Sequence, residues 1–329
     1  MMNEAIIMTQ ADVKKYVSIK DIIDIVEQTY VWYAQNEIIM PSKITLNMHE
    51  LGLPNWINSM PSYVRPLDTL GIKWAGGFIG NKKLGLPYIM AEILLNDPLT
   101  GQLRALVDGN WITDIRTGAQ TAVAAKYLAV NPEVLAIIGA GVQGISTALC
   151  MLETFELKEI RVADISADAC EKFAREIGQK TSVPVKVCKT NEEAVKDADV
   201  IVTVTTADEA LVKAEWVKPG AFVSSKGSYQ ELDENLIFKA DKLYVDHLEQ
   251  NLHRGEFLKY FLEGRLKKED IVGEIGEVIC GKVIGRKDKD ERIVASLIGM
   301  GCLDIAIAAV VYRKMTSIVV PDYKKFKLA

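Results

Sequence analysis

The pattern of apolar and polar residues divides the first third of the chain into a helical part and a strand-rich part. Between 12 and 36, apolar positions recur every three or four residues, which predicts a helix with Ser18 as its N-cap. After Pro41 the apolar runs become short, alternating and separated by turns. These strand-like runs cover 43–48, 56–60, 70–75, 88–95 and 103–107. Successive strands with short turns predict a mostly antiparallel sheet.

From residue 135 onward, short apolar runs alternate with helical patterns. The predicted strands are 135–138, 160–163, 184–188, 199–204, 221–225 and 242–246, and the predicted helices are 142–154, 167–178 and 191–197. This alternation is typical of an α/β protein with a doubly wound parallel sheet.

Three further segments frame this alternating region. A helix predicted to begin at Thr113 leads into it and ends before Asn131-Pro132. A strongly apolar helix is predicted at 300–312, and 317–320 is predicted to be a strand that returns to the first domain.

Composition and charge fit an ordinary globular protein. The chain has 329 residues, of which 49% are hydrophobic and 25% charged, so it is long enough for two domains with separate cores. The net charge of −5 gives no electrostatic reason to expect nucleic acid or an anionic membrane as a partner. The first residues lack a secretion-signal pattern, and no apolar segment is long enough to span a bilayer. We therefore expect a cytoplasmic protein.

The cysteines and histidines predict no metal site. The five cysteines are scattered without C-x-x-C spacing, which is typical of reduced, mostly buried thiols. Among the three histidines, His247 and His253 lie closest together, but their six-residue interval places the rings on different faces of a helix. Helical zinc motifs use a four-residue interval instead.

The segment 135–144 reads as a buried strand, a glycine turn and the start of a helix. Gly139, Gly141 and Gly144 have the spacing G-x-G-x-x-G, in which the first glycine allows the bend and the second lets backbone amides approach a pyrophosphate. The third glycine allows the helix to pack closely, and Val142 and Gln143 begin that helix. The alternative is a glycine turn in an α/β domain that binds no nucleotide.

An acidic residue strengthens the nucleotide interpretation. Asp164 follows the next predicted strand, about twenty residues after the glycine turn, where an acid binds the ribose hydroxyls of NAD. A carboxylate at this position repels the additional phosphate of NADP. NAD(H) is therefore the predicted cofactor, and NADP(H) is the less favoured one.

Two cationic residues of the first domain are candidates for substrate binding. Lys73 stands at the end of a predicted short strand, beside glycines that would make room for a ligand; the alternative is an ordinary surface lysine. Arg116 falls in the first turn of a predicted helix, where a cation gains nothing from the helix dipole. A carboxylate ligand would explain it, and the alternative is an ion pair with Asp108 or Asp114.

Several segments match one known family. They are 71–73, 85–101, 108–119, 139–144 and 296–304. Over nearly the whole chain they resemble the ornithine cyclodeaminase/mu-crystallin family, and the motifs around Lys73 and Arg116 are far more specific than the glycine turn. The resemblance implies a substrate-binding and dimerisation domain of α+β type, built from both ends of the chain, and a Rossmann domain that binds NAD(H) or NADP(H). We place these domains at 1–113 with 300–329 and at 114–299.

The resemblance also implies roles for individual residues. Lys73 and Arg116 would bind the substrate carboxylate as catalytic residues, with Lys73 also placed for proton transfer. Met60 would line the substrate pocket, and Lys43 stands where the family often has an arginine. The cofactor set is completed by Ile165, Thr205 and Ser228. The partners implied are a small amino-acid or imino-acid substrate and a second copy of the chain.

One departure from the family bears on the substrate. Ornithine cyclodeaminases and alanine dehydrogenases of this type carry an aspartate in the loop after the strand at 221–225. Here the loop is shortened and has Ser228 or Tyr229 at that place. A carboxylate would help to deprotonate the side-chain ammonium for ring closure, so its absence counts against ornithine. Glu231 and Asp233 are the candidate substitutes, although both resemble the first turn of the next helix.

We therefore predict an NAD(H)-dependent oxidoreductase that interconverts the amine and the imine of an α-amino acid. This description covers amino-acid dehydrogenases and imine or ketimine reductases. One alternative is an ornithine cyclodeaminase that recycles its NAD. A second is a non-catalytic, NAD(P)H-bound ligand-binding protein of mu-crystallin type.

Overall fold

A computed structural model describes residues 4–207, 209–228, 230–317 and 324–327 of the chain. The chain divides into two compact units, Met1–Arg116 with Met300–Ala329 and Thr117–Gly299. The first boundary between the two units, after Arg116, lies inside a helix and slightly further along the chain than the predicted boundary at 113. None of the helices in the described ranges has the length and apolar character that a bilayer crossing requires.

Strands and helices are numbered here in chain order. The strands are β1 Glu4–Met8, β2 Ile38–Ile39, β3 Ile44–Asn47, β4 Asn55–Val64, β5 Thr69–Phe78, β6 Ile89–Asn96, β7 Leu103–Asp108, β8 Val134–Ile138, β9 Glu159–Ala163, β10 Val185–Val187, β11 Val200–Thr203, β12 Phe222–Lys226, β13 Lys242–Val245, β14 Ile271–Glu274, β15 Ile293–Leu297 and β16 Lys324–Lys327. The helices are α1 Gln10–Tyr16, α2 Ile19–Ala34, α3 Asn110–Leu128, α4 Val142–Thr154, α5 Ala167–Gly178, α6 Asn191–Val195, α7 Glu234–Phe238, α8 Leu248–Asn251, α9 Leu258–Leu262, α10 Ile275–Ile279 and α11 Gly301–Thr316.

The first unit contains a sheet with the order β16-β1-β7-β6-β5-β4-β2, and β3 also pairs with β4. The predicted antiparallel arrangement is confirmed for β2 to β7, whereas β1 pairs parallel to β7. The predicted helix at 12–36 is two helices. Ser18 is the N-cap of the second, as predicted, and it forms a capping box with Asp21.

Helix α11 covers one face of this sheet and packs on β4 and β5. The approach is close at Gly71, where an added Cβ would lie 2.6 Å from the Leu94 carbonyl oxygen and 3.3 Å from Ile305 Cγ1. Of the strand predicted at 317–320, Ser317 directly follows α11 and 318–320 lie outside the described residues. The C-terminal strand that does pair in this unit is β16, antiparallel to β1.

The second unit contains an eight-stranded sheet with the order β10-β9-β8-β11-β12-β15-β13-β14. All its pairings are parallel, so the predicted doubly wound sheet is confirmed. The order along the chain reverses direction between β8 and β11. In sheets of this kind, ligands bind beyond the carboxyl ends of the strands at such a switch point. The glycine turn follows β8 directly.

Candidate functional site

The glycine turn after β8 has the backbone geometry that a dinucleotide-binding turn requires. Gly139 has φ of 114°, a conformation that side chains other than hydrogen rarely allow. A Cβ at Gly144 would lie 2.1 Å from the Gly139 carbonyl oxygen, so the turn and α4 approach each other too closely for any side chain. At Gly141 the Cβ direction is open, with no heavy atom within 4 Å.

The N-terminus of α4 fits a bound phosphate group. Gly141 is the N-cap of this 13-residue helix and offers no side chain to the first backbone amides. Val142 is more than half exposed, and Gln143 is partly buried in the same first turn. The backbone amides of a helix's first turn and the positive end of its dipole favour an anion at this position. The residues present therefore fit the pyrophosphate of a dinucleotide.

Asp164 lies directly after β9 and is tied to the glycine turn. Its Oδ2 accepts a hydrogen bond from the Ala140 N–H (2.8 Å), and its Oδ1 accepts one from the Ser166 N–H (2.9 Å). A carboxylate has further acceptor positions, so ribose binding by Asp164 stays a prediction consistent with this geometry. Ile165, the next residue, is fully exposed.

Thr205 and Ser228 lie in the loops after β11 and β12. Thr205 donates both its backbone N–H (2.8 Å) and its hydroxyl (2.6 Å) to Glu231 Oε1. Ser228 is exposed and follows Gly227, which has φ of 88°. Tyr229, the other residue at the place of the family's loop aspartate, lies outside the described residues.

The two candidate substitutes for that aspartate have different surroundings. Asp233 caps α7 by accepting from the Asn235 N–H (2.8 Å), as predicted. The same prediction is wrong for Glu231, which precedes α7 and is completely buried. Burial raises the pKa of Glu231 to about 7, against the lowering effect of its bonds to Thr205. Glu231 is therefore part of the protein interior, where it is bonded to the loop after β11.

In the first unit, Lys73 is a core residue. The predictions of a surface lysine and of a strand end are both wrong, because Lys73 stands in the middle of β5 and is only 1% exposed. It lies on the face of the sheet that α11 covers, like its neighbour Gly71. A buried ammonium requires a partner, and Lys73 Nζ donates to Asp304 Oδ1 at 2.6 Å.

Asp304 is a site residue that the sequence reasoning missed. It lies in the first turn of α11 and is completely buried. Gly301 allows its helix to reach the sheet, since an added Cβ there would lie 2.8 Å from Met60 Cβ. One turn later in α11, Asp304 contacts Lys73. Lys73 is the residue of β5 that pairs with Met60 of β4. A single acid in an otherwise apolar helix was the signal available in the sequence.

Arg116 is the second cation on Asp304. Its Nε lies 3.2 Å from both carboxylate oxygens, so Arg116 pairs with Asp304, an acid that the sequence analysis did not name as its partner. The prediction that Arg116 lies in the first turn is also wrong. Helix α3 begins at Asn110, whose side-chain Oδ1 accepts from the Ala91 N–H of β6 (2.9 Å). Arg116 therefore belongs to the second turn.

The charges of this cluster shift several pKa values. Burial lowers the pKa of Lys73 to about 8, with a further lowering by Arg116 and an opposing effect of Asp304. Burial alone would raise the pKa of Asp304, but the charges of Arg116 and Lys73 outweigh it and hold that pKa below the usual range. Asp114 lies within electrostatic range of both cations, and burial raises its pKa to about 6. Lys73, Arg116 and Asp304 together carry a net charge of +1.

Met60 and Lys43 lie next to this cluster in the sheet. Met60 is buried and pairs with Lys73 across β4 and β5. Lys43 is partly buried and precedes β3, where Ile44 pairs with Ser59. Extending that register by one residue brings Lys43 opposite Met60. The three residues therefore follow one row across three neighbouring strands.

His247 caps a helix, and the structure brings together no metal-binding cluster in its described ranges. His247 Nδ1 accepts the Gln250 N–H (3.0 Å) and so caps α8. Within the described ranges, no group of three or more histidine, cysteine or acidic side chains could hold a metal ion. All five cysteines but Cys280 are buried, as the sequence predicts for most of them, and the structure pairs none of the five with another.

The parallel sheet, its switch point and the glycine turn define the second unit as a Rossmann domain of the dinucleotide-binding class. The first unit adds a buried pair of cations on one acid. The family model of the ornithine cyclodeaminase/mu-crystallin family matches residues 3–318, and the chain belongs to this family.

Three relatives illustrate the similarity. The ketimine reductase mu-crystallin of Mus musculus is 37% identical over 268 residues, which cover 80% of this chain and 81% of the relative. The solved Thermococcus litoralis Δ1-pyrroline-2-carboxylate reductase, in complex with NADH and L-proline, is 31% identical with a TM-score of 0.90, covering 95% of this chain and 98% of that one. An archaeal alanine dehydrogenase, a dimer with bound NAD, is 34% identical with a TM-score of 0.90, covering 98% and 99%.

Proposed function

We propose that this protein is an NAD(H)-dependent oxidoreductase that interconverts the amine and the imine of a small α-amino acid. The observation that carries the proposal is the buried cluster of Lys73, Arg116 and Asp304, in a chain that also has a complete dinucleotide turn. The named relatives act on amino or imino acids, and two of them were solved with NADH or NAD.

The cation pair is suited to one carboxylate. Lys73 and Arg116 share one completely buried acid, Asp304, and a substrate carboxylate would be a further anionic partner for this cation pair. Arg116 offers a planar group of donors, and Lys73 offers a point charge with rotatable donors. Held by both, the substrate has a fixed orientation, which is the main contribution the protein makes to the rate. Met60 and Lys43 would border the same substrate.

The chemical step needs hydride and proton transfer. The bound cofactor supplies a hydride to, or accepts one from, the substrate α-carbon. We assign the binding of its pyrophosphate to the glycine turn and the first residues of α4, which are Gly139, Gly141, Val142, Gln143 and Gly144. Asp164 and Ile165 would bind its adenosine end. Thr205 and Ser228 complete the set of cofactor-binding residues. Lys73 Nζ, with its pKa of about 8, can exchange a proton with the substrate nitrogen near neutral pH.

A substrate panel tests this proposal. Purified protein and NADH are mixed with cyclic imino acids, with 2-oxo acids plus ammonia, and, separately, ornithine is mixed with NAD. We expect NADH oxidation and formation of an α-amino acid with at least one imine or 2-oxo acid. NADH binding without turnover of any of these compounds would favour a non-catalytic binding protein. Conversion of ornithine to proline with no net change in NADH would favour a cyclodeaminase.

We also propose a homodimer formed through the first unit, as the archaeal relative is a dimer. Away from α11, an apolar row crosses five neighbouring strands in register. Its members are Pro61, Ile72, Leu94, Leu106 and Ile7. Leu94 and Ile7 are more than one-third exposed. An apolar row of this length on a sheet face is typical of a surface that another chain covers.

The substitution Leu94→Asp tests the dimer. A carboxylate in the middle of the row would be buried without a partner on association, so we expect monomers in sedimentation experiments at micromolar concentration. Leu99→Asp is the matched control, because Leu99 is 90% exposed in the turn after β6 and lies off the row. A wild-type protein that sediments as a monomer would contradict the proposal.

A further inference from the structure

Two buried carboxylates connect the loops at the carboxyl edge of the parallel sheet. Glu231 lies in the loop after β12 and Glu256 lies between α8 and α9; both are completely buried. Glu256 accepts hydrogen bonds from the Glu231 N–H (2.9 Å), the Leu232 N–H (3.1 Å) and the Ser225 hydroxyl (2.8 Å). Glu256 therefore fixes the backbone conformation of the loop at Glu231 and Leu232.

Glu231 in turn holds the loop after β11. One of its oxygens accepts both the N–H and the hydroxyl of Thr205, and the Thr205 hydroxyl oxygen accepts the Ala207 N–H at 3.0 Å. Bonds to a charged acceptor are roughly twice as strong as neutral ones. The loop conformation at Thr205 is therefore set by a side chain that follows the next strand of the sheet.

Thr205 lies against the glycine turn. The Cβ direction of Gly139 points at the Val204 carbonyl oxygen (3.0 Å) and at Thr205 Cγ2 (3.1 Å). The strands before these two segments, β8 and β11, are neighbours on either side of the switch point. A shift of Thr205 would thus change the surface against which the glycine turn packs.

Burying two acids side by side costs free energy that an apolar pair would not. Burial raises the pKa of both Glu231 and Glu256 to about 7. Neither carboxylate reaches solvent. Their bonds run to the backbone of two loops and to Thr205 and Ser225.

We propose that Glu231 is a positioning residue for the dinucleotide: through Thr205 it holds the loop after β11 in the conformation that binds NAD(H), supported by Glu256. This inference rests on the proposed function, since it requires that the chain binds NAD(H). It gives Glu231 a role distinct from that of the family's loop aspartate.

The test measures the dissociation constant of NADH by fluorescence titration of the full-length chain. At pH 8, above the Glu231 pKa of about 7, Glu231→Gln keeps the shape but replaces a charged acceptor, and Thr205→Val replaces only the hydroxyl, by a methyl group. We expect about tenfold weaker NADH binding for the first variant and about threefold for the second. The double variant should lose less than the product of both factors, because the two side chains act through one hydrogen bond.

The sign of the effect separates positioning from simple electrostatics. NADH is an anion, so loss of a nearby negative charge would by itself tighten its binding. Glu274→Gln is the matched control: Glu274 is a partly buried acid of this unit with a pKa raised by burial to about 7, but its oxygen accepts the Leu248 N–H. We expect its NADH affinity to match wild type, at a melting temperature similar to that of Glu231→Gln.

The possible results are distinguishable. If wild-type protein does not bind NADH, the proposed function fails and this inference fails with it. If wild type binds NADH and both Glu231→Gln and Thr205→Val bind it equally well or more tightly, only the inference is overturned. Strictly multiplicative effects in the double variant would also overturn it. If Glu231→Gln does not fold, Glu231→Asp decides, because it keeps the carboxylate but shortens its reach to Thr205: unchanged affinity contradicts the inference, and weaker affinity supports it.

Discussion

Replacing Arg116 by alanine is expected to lower kcat/KM for the imino acid about 10³-fold while leaving the dissociation constant of NADH nearly unchanged. Truncating one partner of a buried, hydrogen-bonded charge pair costs about 2–5 kcal/mol in binding, and the substrate carboxylate would lose the planar group that orients it. The cofactor residues that we assign belong to the other compact unit, so NADH affinity should not depend on this side chain.

Two further variants make the Arg116 result interpretable. Arg116→Lys keeps the charge without the planar donors, and we expect a loss intermediate between wild type and alanine. Arg104→Ala removes an arginine of the same unit that pairs with Asp97, and it should leave both constants unchanged. If Arg116→Ala weakens NADH binding as much as it lowers kcat/KM, Arg116 supports the fold instead.

Replacing Asp304 by asparagine is expected to destabilise the protein by about 3–5 kcal/mol, seen as a lower urea midpoint. Without the acid, Lys73 and Arg116 remain buried with no counter-charge from α11, which is the costly way to break a buried ion pair. Asp97→Asn is the control, because it breaks a partly exposed pair with Arg104, and such pairs contribute less than about 1 kcal/mol. Equal midpoints for the two variants would contradict this reading.

A pH profile separates the role of Asp304 at the site from its role in stability. In the proposed function the substrate carboxylate binds protonated Lys73, whose pKa is about 8, so we expect kcat/KM to fall as pH rises through this value. Asp304 raises the pKa of Lys73, so its removal should move the falling limb to lower pH. Asp114 also raises this pKa and remains in the variant, which limits the displacement. A limb that stays in place would show that Asp304 acts on stability alone.

The second unit could be predicted closely from the sequence because its signals are local. Strand and helix periodicities alternate over short distances, and the predicted helices at 142–154 and 167–178 have the observed bounds. The glycine turn was recognisable because positive φ at Gly139 and the close approach at Gly144 exclude side chains. The start of α3 was misplaced because Asn110 is held by β6, a contact that no local pattern contains.

Glu231 shows where local reasoning failed. Its position just before α7 resembles a helix start, and acids are common there. Its side chain accepts a hydrogen bond from Thr205, which lies in an earlier loop. Its backbone N–H donates to Glu256, which lies later in the chain. Which acid is buried and which caps the helix depends on how neighbouring loops of a parallel sheet meet.

By itself, the sequence determined the class of each unit, the dinucleotide turn and the residues from which a carboxylate site could be built. Only the tertiary structure decided that Lys73 is buried, that Arg116 pairs with Asp304, and that Glu231 faces inward. The physical reason is sequence distance: Asp304 lies 231 residues from Lys73 and 188 from Arg116. Periodicity acts over a few residues, whereas these charges meet only because α11 packs against the sheet that carries Lys73.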